Sequence, residues 1–85
     1  MDKNLYITIE LFGMHGIIAN TDRIQMPFSG KKTVIDAINY VIKQYPEITI
    51  DKESIFVAVN HEIVPTTKLL QANDTVSLLP HIGGG

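Results

Sequence analysis

TVIDAINYVIKQYP, residues 33–46, is where the rhythm of the chain changes. Val34, Ile38, Val41 and Tyr45 recur at three- and four-residue steps and form one apolar stripe, widened by Ile35 and Ile42. Asp36, Asn39, Lys43 and Gln44 occupy the opposite side. Thr33 suits an N-cap, and Asp36, three residues on, sits where a capping box places its acid. Pro46 stops the pattern near Gln44 or Tyr45, because the residue before a proline avoids helical geometry. The spacing predicts one helix here and no other in the chain.

On either side of this segment the period falls to two. Asn4 to Phe12 alternates, with Leu5, Ile7, Ile9 and Leu11 facing one way and Tyr6, Thr8 and Glu10 the other. GMHGIIAN, residues 13–20, reads as a glycine-bearing loop, and Arg23 to Phe28 returns as a second strand with Ile24, Met26 and Phe28 inward. Beyond the helix, Ser54 to Asn60 is a third strand with Ile55, Val57 and Val59 on one face, leaving Phe56 and Ala58 on the other. Asn60-His61 makes a tight turn, since asparagine tolerates positive φ, and Glu62 to Val64 follows as a short strand. Pro65 to Gln71 is irregular, anchored by Leu69 or Leu70. Asn73-Asp74 then turns the chain into a last strand, Thr75 to Leu79. One helix cannot cover both faces of a sheet. The expectation is therefore an α+β roll: a mixed sheet of four to five strands, one helix packed on one face and the other face partly wet.

Composition narrows the function classes. The chain has 85 residues, a size that holds a single domain. Net charge is −2 and the basic residues are scattered, so there is no electrostatic footprint for nucleic acid. No apolar run reaches membrane-spanning length and no signal-peptide pattern opens the chain. With no cysteine there is no disulfide framework, thiolate metal site or cysteine nucleophile, a composition compatible with a cytoplasmic protein. His15, His61 and His81 share no metal-ligand spacing and read as surface histidines, so no metal site is expected. Asp36, Glu47, Asp51 and Glu53 form no paired-carboxylate arrangement.

The order of elements resembles the β-grasp fold of ubiquitin. The last third, VAVNHEIVPTTKLLQANDTVSLLPHIGGG (57–85), is similar to the MoaD/ThiS sulfur carriers. Val59-Asn60 matches the turn that ends a strand in that family, Val64 the apolar residue after it, and Leu70, Asp74 and Val76 the approach to the last strand. Gly84-Gly85 matches the terminal pair. The first strand, ending in LFG (11–13), and Pro80 fit the small subunit of molybdopterin synthase, whereas VNHEIVP (59–65) also resembles the thiamine-pathway carriers.

The resemblance implies a carrier rather than an enzyme, binding no cofactor itself. In the family, a separate E1-like adenylating enzyme uses ATP to activate the C-terminal carboxylate, here that of Gly85. Sulfur then displaces AMP, and the thiocarboxylate is delivered on a second partner: the molybdopterin synthase large subunit, or thiazole synthase in the thiamine pathway. A third possibility is a ubiquitin-like modifier joined to lysines. Glycine at 83, 84 and 85 would let the backbone lie close to an active-site wall. Residues 1–80 would form the β-grasp domain and 81–85 a flexible tail reaching about 16–18 Å. Phe56, Leu79, Pro80, His81, Ile82 and Gly83 are the candidate partner-binding residues, Phe56 and Leu79 because alternation turns them away from the helix.

Overall fold

The computed structural model describes residues 5–80. Five strands form one mixed sheet in the order β2-β1-β5-β3-β4. They are β1 (Tyr6–Leu11), β2 (Arg23–Pro27), β3 (Phe56–Val59), β4 (Glu62–Val64) and β5 (Thr75–Leu79). β1 pairs antiparallel with β2 and parallel with β5, which in turn runs antiparallel to β3. The expected α+β roll is present. It is the ubiquitin-like β-grasp arrangement.

The predicted helix is α2 (Val34–Gln44). The Asp36 carboxylate accepts the Thr33 backbone N–H at 2.8 Å and the Thr33 hydroxyl at 3.2 Å, closing the capping box. Two more unpaired N–H groups of the first turn are met from outside: Val34 donates to Lys68 O at 3.0 Å and Ile35 to Thr66 O at 3.1 Å. The irregular segment 65–71 therefore has a defined task, which is to cap α2. Leu70, not Leu69, is its buried anchor. Val34, Ala37, Ile38 and Val41 are buried against the sheet face made by Ile7, Ile9, Leu11, Met26, Val57, Val59, Val76 and Leu78.

Two sequence expectations require correction, and a third holds with a difference in burial. Residues 13–20 are not a plain loop: Met14–Ala19 forms a short helix, α1, so α2 is not the only helix. Gly13 starts it at positive φ. Asn20 ends it in left-handed geometry, with Thr21 N–H to Gly16 O at 3.1 Å and Asn20 N–H to Ile17 O at 3.2 Å, a Schellman close. Six residues carry too little periodicity to be told from a loop. Leu5 lies ahead of β1 and is exposed rather than inward. Ala58 does face away from α2, yet it is buried, because its cross-strand neighbours Ser77 and Ile63 flank a side chain of one methyl group.

At one end of the sheet the β3–β4 turn is tied to β5. Asn60 and His61 both have positive φ, as a type I′ turn requires. Asn60 Nδ2 donates to Asp74 Oδ1 at 2.9 Å, its Oδ1 accepts the Thr75 N–H at 3.0 Å, and Asp74 Oδ2 accepts the Gln71 N–H at 2.8 Å. Asn60→Ala removes two of these bonds and places a Cβ residue without a local hydrogen-bonding side chain in left-handed geometry. It is expected to lower stability by about 1–3 kcal/mol in urea unfolding. His61→Gly relieves the second strained position, and a rise of a few tenths to ~1 kcal/mol is expected in the same measurement.

Candidate functional site

The site is built at the opposite end of the sheet. β1 and β5 are parallel, so their C-terminal ends leave the sheet together, and β3, antiparallel to β5, begins there. This end therefore gathers Phe56, Leu79 and Pro80 with Phe12 and helix α1. Phe56 and Leu79 are direct cross-strand partners. Both face away from α2, as alternation predicted, and Phe56 is 54 % exposed while Leu79 is partly exposed. Phe12, next after Leu11, which pairs with Leu78, comes level with Leu79 and is also exposed. Ile63 on β4 extends the apolar area beside Ala58.

The other half of the same face is polar. Glu10 accepts the Ser77 hydroxyl at 2.8 Å and an Arg23 guanidinium N–H at 3.2 Å, linking β5, β1 and β2 in one row. The exposed Arg23 pair is worth at most about 1 kcal/mol. Its clearer effect is to divide the open face into an apolar side over β3, β4 and the end of β5 and a polar side over β1, β2 and the middle of β5.

Pro80, where the described chain ends, is held against α1: a Cβ built on Gly13 would lie 3.6 Å from Pro80 Cγ. Beside it is a cavity of about 170 Å³ lined by His15, Thr49, Ile50, Asp51, Ser54, Ile55 and Pro80. His15 is not the surface histidine that its glycine-rich context suggested. It is only 9 % exposed, and its Nδ1 has no hydrogen-bond partner. The cause is α1: His15 and Ala19, four apart, form the inward face of that helix. The expected site residues His81, Ile82, Gly83, Gly84 and Gly85 lie outside the described residues. Among the described residues no group of three or more His, Cys, Asp or Glu side chains could hold a metal ion, and no helix is long and apolar enough to cross a membrane.

What the sequence reading missed at this end is Phe12, Ile63, α1 and the burial of His15. The first two were present in the alternation. The last two had no local signal: His15 lies among Thr49, Ile50, Asp51, Ser54, Ile55 and Pro80, all distant from it in sequence.

A small mixed sheet grasping one long helix defines the class of ubiquitin-like β-grasp domains, here with an apolar patch where the last strand ends. The ThiS family model matches residues 16–85, and the chain belongs to that family, the ThiS/MoaD-type ubiquitin-like sulfur carriers, which are non-catalytic. Solved structures agree on the fold. Small archaeal modifier protein 1 of Haloferax volcanii is 21% identical with a TM-score of 0.79, covering 92% of this chain and 99% of that one. A protein described as molybdopterin converting factor, subunit 1, from Pyrococcus furiosus is 19% identical with a TM-score of 0.77, over 92% and 99% of the two chains. Urm1 from Trypanosoma brucei is 16% identical with a TM-score of 0.68, covering both chains fully.

An unpaired buried nitrogen costs about 1–3 kcal/mol, so replacing the imidazole by an apolar group of similar size should be neutral or favourable. His15→Leu is expected to leave the urea midpoint unchanged or to raise stability by about 1 kcal/mol. A clear loss of stability would mean that Nδ1 has a partner, such as an ordered water.

Proposed function

We propose that this chain is a sulfur carrier of the molybdopterin synthase small-subunit type, with the C-terminal carboxylate of Gly85 as its reactive group. A free carboxylate is a poor acyl donor because its charge is delocalised. An E1-like enzyme therefore joins one carboxylate oxygen to the α-phosphate of ATP, releasing pyrophosphate. A sulfur donor next attacks the acyl carbon, and AMP leaves with that oxygen. The product is a thiocarboxylate whose sulfur passes to a pterin precursor on the large, catalytic subunit. ATP is bound by the activating enzyme and not by this chain.

The observation that carries this reading is the clustering of Phe56, Leu79 and Pro80 at the end of β5 from which residues 81–85 continue. Their placement suits a body that docks by its apolar patch while its C-terminus enters a partner. Glycine at 83–85 suits that entry, since a Cβ would meet the walls of a narrow channel. Gly84 and Gly85 would line the channel, while His81, Ile82 and Gly83 would contact its mouth. A second reading within the same chemistry is the thiamine-pathway carrier, docking on thiazole synthase. It is favoured by the stretch VNHEIVP (59–65) that forms the β3–β4 turn.

Incubation with an activating enzyme, ATP and a sulfur donor should change the intact mass by one oxygen-to-sulfur exchange. Unchanged mass, with an enzyme active on a known carrier, would overturn both carrier readings. Deleting Gly85 should abolish the exchange and leave the urea midpoint unaltered. Pull-down then separates the partners: a pterin synthase large subunit supports the first reading and a thiazole synthase the second. A ladder of lysine adducts would point to a protein modifier instead. Phe56→Ser should weaken capture of the partner by roughly tenfold, the size of a central apolar contact.

A further inference from the structure

Helix α1 carries an apolar stripe on its outer side. His15 and Ala19 face the core, while Met14, Ile17 and Ile18, at steps of three and four, form a stripe on the outside. Ile17 is 70 % and Met14 62 % exposed, and the helix carries no Asp, Glu, Lys or Arg. An apolar helix stripe ordinarily packs against another element. This helix is covered only on the side of His15 and Ala19.

Its position says what covers the other. Of the eight large apolar side chains exposed among the described residues, five (Phe12, Met14, Ile17, Ile18 and Phe56) sit at the end of the sheet where β5 finishes. Gly13, the N-cap of α1, lies beside Pro80, and His15 of α1 lines the same cavity as Pro80. Residues 81–85 reach at most about 16–18 Å beyond that point. A protein that takes in Gly85 must therefore stand beside α1 as well as beside Phe56. The three outer side chains of α1 fall well short of the roughly 800 Å² per partner that a stable interface buries. They are suited to enlarging another interface, not to forming one alone, and a dimer of this chain through α1 would be too small to persist.

We propose that the outer face of α1 is a second docking surface for the adenylating enzyme, received by an apolar, uncharged recess next to the channel for the C-terminus. The adenylating enzyme is the occupant because carrier and modifier chemistries alike begin with activation of the carboxylate. The inference rests on the reading of Gly85 as the activated group. α1 would hold the body in one orientation over the channel, so that its loss weakens capture without altering the chemical step.

The test is the double variant Met14→Gln, Ile17→Gln in the full chain, with Ile17→Lys as a second variant. Both positions are mostly solvent-exposed, so circular dichroism and the urea midpoint should match the wild type. In ATP–pyrophosphate exchange by the adenylating enzyme, KM for the carrier should rise roughly tenfold while kcat stays constant. Direct binding of the Gly85-deleted chain should weaken by the same factor when the two substitutions are added. An unchanged KM with an active wild type would overturn the α1 surface and leave the carrier reading standing. Binding that weakens with the substitutions although the wild type is never adenylated would uphold the surface and reject the chemistry. Neither binding nor adenylation of the wild type would reject both. A wild-type dimer in sedimentation that the double variant dissolves would assign the face to a second copy and overturn the proposal.

Discussion

The structure depends on the pairing of the first strand with the last. β1 and β5 lie side by side in parallel, from Thr8 opposite Thr75 to Leu11 opposite Leu78, and β5 is thereby enclosed between β1 and β3. Val76 and Leu78 are fully buried as a result, in the same core as Ile38 and Val41 of α2. Parallel neighbours cannot be joined by a tight turn, so everything between them must form the crossover. That one non-local contact fixes the direction in which the chain leaves the sheet at Pro80.

Because β5 is central, both of its flanks are structural and only its end is free for function. Its start is tied by the Asn60 and Asp74 side chains, and its middle by Ser77 to Glu10. Polar bonding is thus spent along the strand, whereas the exposed apolar side chains collect at its exit. A surface that is polar over β1, β2 and the middle of β5 and apolar over β3, β4 and the exit of β5 offers a partner one orientation.

The long elements were legible from period alone. The helix at 34–44 has its cap, its stripe and its proline stop in the sequence. The strands at 6–11 and 75–79 alternate without interruption, and the outward direction of Phe56 and Leu79 follows from that alternation. Reading failed where an element was short or where burial came from a distant neighbour. α1 has six residues and two glycines at or near its start, so its period could not be distinguished from a loop. His15 looked exposed because nothing local buries it; it lies beside segment 49–55 and Pro80, which are distant in sequence. Leu5 looked inward because alternation does not reveal where a strand ceases to be covered.

The sequence by itself determined the secondary structure of the core, the two faces of the sheet and the family, because these depend on local periodicity and on residue types at short spacing. Only the tertiary structure decided that segment 65–71 caps α2, that α1 stands beside Pro80, and that Phe12, Phe56 and Leu79 meet at one end. Those facts depend on which strands are neighbours and in which direction they run. No short stretch of chain encodes that, since it is settled by the burial of all the strands against one helix at once.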